Sequence, residues 1–138
     1  MKAVLISIKP KWCNLIFSGE KKDEIRKTKP KIGNIDVYVY QTGNGGVIGK
    51  FRLCKLTYIQ AWIDNKGEKH LGNTIFLRSC LTDDELFNYI YREQKPDKQY
   101  PGGWAWHIDA PVLFGKSMPL SEFGLKRPPQ SWCYVDVT

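Results

Sequence analysis

The segment Gly19-Glu20-Lys21-Lys22-Asp23-Glu24-Ile25-Arg26 concentrates residue types that can do chemistry. Gly19 lets the backbone turn sharply. Lys21 follows at a loop edge, where a mobile ammonium can meet a phosphate or a carbonyl. Residues 22–27 read as a short strand. Alternation then puts Lys22, Glu24 and Arg26 on one face and Asp23, Ile25 and Lys27 on the other. Ile25 is the expected core contact, which turns Glu24 and Arg26 toward solvent or a cleft. A carboxylate beside a guanidinium can accept hydrogens from a base or ribose while the arginine engages phosphate. The competing reading is an ordinary strand ion pair, worth little at a surface.

Aromatic and polar residues elsewhere extend the candidate set. Trp104, Trp106, Trp132, Tyr38 and Tyr40 offer ring faces, and base stacking is worth about 1–3 kcal/mol per base. In the strand 104–108, Trp104, Trp106 and Ile108 share one face, and Ala105 and His107 share the other. Trp106 is expected in the core. Trp104, at the end of a Gly-Gly loop, is the better surface candidate. Gln130 and Ser131 precede Trp132 and can read a base edge; a loop simply packed by Trp132 is the alternative. The expected binding set is Lys9, Trp12, Lys21, Lys22, Glu24, Arg26, Tyr40, Trp104, His107, Gln130, Ser131 and Trp132. If the protein is an enzyme, Lys21, Glu24 and Arg26 are its catalytic candidates. Metal-free RNA cleavage needs an acid/base pair and a group to stabilise phosphorane charge. Glu24 as base, His107 as acid, and Lys21 or Arg26 as stabiliser satisfy that on paper. Spacing alone does not bring them together, and a lone histidine on a strand is more often structural.

Several elements must position these groups. Ala3 to Ile8 is an apolar run that reads as a central strand. Pro10 opens a helix over 11–18, and Gly19 suits its left-handed stop. Ile35 to Tyr40 alternates cleanly, Gly43 to Gly46 turn, and Val47 to Ile59 returns as a long strand with a bulge near Cys54 and Lys55. Residues 60–80 read as loop with one short helix. Thr82 and Glu85 form a capping box, with Leu81 and Leu86 as staple, opening a helix over 82–93. Residues 95–103 read as loop. Trp104 to Ile108, Val112 to Phe114 and Tyr134 to Val137 read as strands, and Pro119 to Phe123 as a helical turn. The resulting fold class is α+β, a mostly antiparallel β-barrel or curled sheet with two or three short helices.

The chain has 138 residues and is 42% hydrophobic and 25% charged, which suits one folded domain over 1–138 and argues against disorder. No apolar run approaches the roughly 20 residues of a membrane span. The first strand is followed by Lys9, Pro10 and Lys11 and lacks a cleavage region, so a cytoplasmic location is expected. Cys13, Cys54, Cys80 and Cys133 form no close pair. Buried thiols are expected, with neither metal nor cofactor. Residues 1–31 hold nine Lys or Arg against three Asp or Glu, an excess of +6 within a total of +7. A clustered positive field attracts phosphates, although basic faces also serve solubility.

With Gly19, Lys21, Glu24 and Arg26 in place, the segment resembles the G-x-K-x-x-E-x-R motif of the ASCH domain, a member of the PUA-like superfamily. Ser7-Ile8-Lys9-Pro10 with Trp12 is similar to that family's opening strand and helix. Trp104-Ala105-Trp106-His107-Ile108 and Pro129-Gln130-Ser131-Trp132 look like the small phage and bacterial subgroup. The resemblance implies a PUA-like barrel whose motif residues line a cleft beside the first helix. It implies RNA or a nucleotide or nucleoside as partner: some relatives bind RNA, some cleave it, and one branch hydrolyses acetylcytidine. That branch uses a lysine, matched by Lys21, and a threonine three residues on, where this chain has Glu24. A carboxylate is a poor replacement for an activated hydroxyl in amide hydrolysis. A protein-interaction adaptor is the third reading, and it predicts an exposed apolar patch.

Overall fold

The computed structural model describes residues 1–31, 33–92 and 102–138. Strand β1 (Lys2–Ile8) leads into helix α1 (Pro10–Phe17), then β2 (Asp23–Arg26), β3 (Ile35–Gln41), β4 (Gly46–Ile63) and β5 (Lys69–Gly72). Helix α2 (Asp83–Ile90), strand β6 (Gly102–Met118), a 3-10 turn (Leu120–Phe123) and β7 (Trp132–Asp136) complete the order. Among the described residues these strands make one seven-stranded sheet ordered β2-β6-β4-β3-β1-β7, with β5 added to β4. β1 and β3 run parallel, and the other pairs are antiparallel. This is the expected α+β class, as an open, curled sheet and not a closed barrel: β2 and β7 sit at its opposite ends. No helix among the described residues is long and apolar enough to cross a membrane.

Residues 3–8 are buried in β1, as a central strand flanked by β3 and β7 requires. Val4, Ile6, Ile8, Val37, Phe51 and Trp106 belong to the main core, against which α1 sets Cys13 and Ile16. A second core lies under α2, where Leu86, Phe87 and Ile90 meet Ile25, Ile59 and Ala105. The capping box of α2 is present in both directions. Gly19 has φ +87°, the left-handed stop expected after α1.

Several expectations are corrected. Residues 60–80 hold no helix: β4 runs on to Ile63 and turns into β5. Asp64 builds that turn, its Oδ1 accepting the backbone N–H of Lys66 and Glu68. Helix α2 ends at Ile90, where Tyr91 turns extended; residues 93–101, including most of the expected loop, lie outside the described residues. The segments 104–108 and 112–114 are one strand, β6. Its pairing with β4 shifts register between Lys50 and Arg52, and Ala110 adopts φ +47°. This irregularity accommodates Pro111, which cannot donate to a ladder. The bulge near Cys54 is present as a register shift between Leu53 and Leu56. The cysteines are free, but only Cys13 is buried and Cys133 half-buried; Cys54 and Cys80 are exposed.

Candidate functional site

The open seam of the sheet creates the site. Among the described residues, β2 has β6 on one side and no strand on the other. A cleft of about 680 Å³ lies at that free edge. Ser7, Lys9 and Trp12 line it from the β1–α1 junction, and Glu24, Ile25 and Arg26 line it from β2. Gln130 and Ser131 approach from the chain before β7, and Glu85, Asn88 and Tyr89 from α2.

The motif forms the charged part of this lining. Gly19 turns the chain so that the Lys21 N–H returns to Leu15 O at 2.9 Å. The Lys21 side chain is only 2% exposed, and its Nζ donates to Ser79 O at 2.5 Å. That nitrogen is 3.5 Å from Glu24 Oε1 and 5.0 Å from the centre of the Trp12 ring. Burial pulls the Lys21 ammonium below its ordinary range, and the Glu24 charge opposes that pull.

Glu24 sits between two cations. Its Oε2 accepts from Arg26 at 2.9 Å, and its Oε1 accepts the Ile25 N–H at 3.3 Å. Arg26 also crosses the seam, donating to Ser7 O at 2.8 Å and to Ser131 Oγ at 3.1 Å. Side-chain hydrogen bonds thus tie together strands that no ladder joins. The trio carries two positive charges and one negative, with the exposed Lys9 ammonium beside it.

Seven of the expected binding residues meet here: Lys9, Trp12, Lys21, Glu24, Arg26, Gln130 and Ser131. The other five are placed elsewhere. Lys22 precedes β2 and is exposed away from the cleft lining. Tyr40 is buried with Leu5 and Val47 in a third core. Trp104 packs on the main core and against Tyr58. Trp132 packs on Trp106, and its Nε1 donates to Thr28 Oγ1. His107 registers with Asp23, whereas Trp106 registers with Glu24, so His107 falls on the face opposite the motif. Its Nδ1 pairs with the buried Asp23 carboxylate, and its Nε2 lies 2.9 Å from Thr57 Oγ1. The paper pairing of Glu24 as base with His107 as acid is therefore not assembled.

Some cleft residues escaped the sequence reading, yet one signal for them exists. Glu85, Asn88 and Tyr89 stand at i, i+3 and i+4 of α2, the face opposite Leu86, Phe87 and Ile90. Ser7, Thr42 and Leu81 carry no such signal. Asp64, Glu68 and His70 also gather ligand atoms within 4.8 Å of one another, but in the β4–β5 turn, where Asp64 already serves its backbone and His70.

A family model of the ASCH domain matches residues 6–109. The chain belongs to the ASCH domain family. Lys21, Glu24 and Arg26 lie inside the matched region, and Gln130 and Ser131 lie beyond it. The ASCH protein from Zymomonas mobilis shares the fold, with a TM-score of 0.68 at 18% identity, over 97% of this chain and 87% of that one. A Tyr-to-Phe variant of that protein superposes with a TM-score of 0.67 at 18% identity, over 99% and 91% of the two chains. A Ser-to-Ala variant gives 0.67 at 18% identity, over 97% and 88%. A likeness at this identity speaks to the fold alone. No curated protein matches the sequence.

Proposed function

We propose that the seam cleft binds a nucleotide, free or as a unit of RNA. The observation that carries this reading is the buried Lys21–Glu24–Arg26 group in a cleft also lined by Trp12 and Tyr89. The volume lies in the ~300–1,000 Å³ range of small-ligand sites. Trp12 and Tyr89 offer ring faces to a base. Asn88, Gln130 and Ser131 offer donors and acceptors to its edge, and Lys9 offers an exposed ammonium to phosphate. Arg26 has a different role from the one its type suggests: three acceptors already hold it, so it orients Glu24 and Ser131.

Hydrolysis at the same site is the second reading, favoured by one observation. Lys21 is a buried amine held below its ordinary range beside a carboxylate, and such groups cluster at catalytic centres. Binding ranks first because His107, the acid of that scheme, lies outside the cleft lining and on the opposite strand face.

The test is binding of labelled RNA, DNA and mononucleotides across a salt series. Affinity is expected to fall as salt rises. Tyr89→Ala should weaken it roughly 5- to 150-fold, equivalent to about 1–3 kcal/mol of lost stacking. No salt-dependent affinity for any of these ligands overturns the reading. The exposed neighbours Ile75 and Phe76 then become the starting point for an adaptor function.

A further inference from the structure

Beside the cleft runs a basic segment that the cleft itself does not use. Residues 27–31 read Lys-Thr-Lys-Pro-Lys, three cations and no acid. The segment is pinned in place by its backbone and by Thr28. Trp106 Nε1 donates to Thr28 O at 3.1 Å, Trp132 Nε1 to Thr28 Oγ1 at 2.9 Å, and the Lys31 N–H to Tyr134 Oη at 2.7 Å. None of these bonds involves a lysine side chain.

Two of the lysines stand over aromatic rings. Lys27 Nζ is 5.3 Å from the centre of Tyr89, which lines the cleft. Lys29 Nζ is 5.1 Å from the centre of Trp104. Trp104 registers with Arg26 on one side and Tyr58 on the other, and its ring lies 5.1 Å from that of Tyr58. Residues 27–29 therefore carry a short row of two ammonium–ring pairs, the first at the cleft ring Tyr89 and the second at Trp104 on β6.

We infer that this row is a second subsite, and that the ligand is an unpaired polynucleotide strand whose nucleotides next to the cleft lie along residues 27–31. The inference rests on the cleft reading above. A single strand fits because ring faces accept unstacked bases, which a duplex does not present. An ammonium parked over a ring can move to a phosphate and leave the ring face to a base. The pinned backbone holds the spacing between the lysines before any ligand arrives, so little ordering is required on binding.

The experiment compares K27A/K29A/K31A with wild type. A second triple, K55A/K66A/K116A, removes equal charge from exposed lysines elsewhere. Single-stranded RNA, single-stranded DNA of the same sequence, a duplex and a mononucleotide are titrated at several salt concentrations. The expected result is weaker binding of single strands to the loop variant, with the log–log salt slope flatter by about 2, from ~0.7 per phosphate contact. Mononucleotide affinity should stay as in wild type, and the second triple should behave as wild type. Lys29→Ala alone should flatten the slope by about 0.7; it guards against misfolding of the triple variant, which circular dichroism would reveal. Of the two strands, the tighter one identifies the sugar that is read. Equal binding of duplex, an unchanged salt slope in the loop variants, or the same loss in the second triple overturns the inference. If wild type binds mononucleotide but the loop has no effect on strands, this inference fails alone. If wild type binds no mononucleotide, the cleft reading fails and takes the inference with it.

Discussion

Replacing Arg26 with alanine removes three hydrogen bonds from the seam at once, those to Glu24 Oε2, Ser7 O and Ser131 Oγ. The Arg26 and Glu24 side chains are 13% and 8% exposed, so water reaches the orphaned groups poorly. Breaking a buried ion pair by deleting one partner costs about 3–5 kcal/mol. Lys21 stays 3.5 Å from the other Glu24 oxygen and limits the damage, which places the expected loss near 3 kcal/mol, the bottom of that ~3–5 range. For 138 residues at ~2.1 cal/mol/K each, the unfolding entropy is roughly 0.29 kcal/mol/K, and the expected fall in Tm is about 10 °C. Thermal and urea unfolding followed by circular dichroism measure both quantities. Arg26→Lys keeps the charge but cannot span three acceptors, so it should recover less than half of the loss. A double-mutant cycle with Glu24→Gln should show a coupling of about 1 kcal/mol or more. A loss under about 1 kcal/mol for Arg26→Ala, or simple additivity in the cycle, refutes the view that this guanidinium closes the seam.

Glu24→Gln separates binding from catalysis: a binder keeps much of its affinity because the amide still accepts, whereas an enzyme using the carboxylate as base loses turnover while still binding. Parallel titration calorimetry and assays with RNA and acylated nucleosides read the two effects. Lys21 makes a pH prediction of definite sign. Its folded ammonium is held below the ordinary 10.5, so the unfolded chain binds more protons in the window beneath 10.5, and stability gains there as pH rises. Against Lys21→Met, which has no such group, wild type should gain relative stability on titration from the depressed value up to 10.5. A constant difference across that range contradicts the burial of a charged Lys21.

Local chemistry made much of the fold readable. The Thr82–Glu85 box marks the start of α2 because its hydrogen bonds lie within four residues. The run to Ile8 reads as a central strand because both its faces are apolar. What failed to read depends on distant partners or on register. The β4–β5 turn hid in Asp64-Asn65-Lys66-Gly67, where the Asp64 carboxylate accepts two backbone N–H groups and Gly67 alone supplies the left-handed conformation. Pro111 made one strand look like two, because the shift in β6 that accommodates it is defined only against β4.

The site follows the same division. Period-two alternation places Glu24 and Arg26 on one face with no knowledge of the fold. Lys21 joins them through the left-handed turn at Gly19, also a local event. Trp104 and His107 could not be assigned in that way. Alternation separates their faces, but only the pairing of Asp23 with His107 decides which face meets the motif. Ser131 and Ser79 reach the site from more than 50 residues away, through contacts that exist only because the barrel stays open at β2. A closed barrel would fill that edge with another strand, and the cleft would have no place. The groups that line the cleft are thus the same groups that hold its walls together. A variant that removes Arg26 or the Glu24 acceptor will change ligand affinity and fold stability at once. Tyr89, 38% exposed on α2 and with no hydrogen bond of its own across the seam among the described residues, is the position where lost affinity reports on the ligand rather than on the fold.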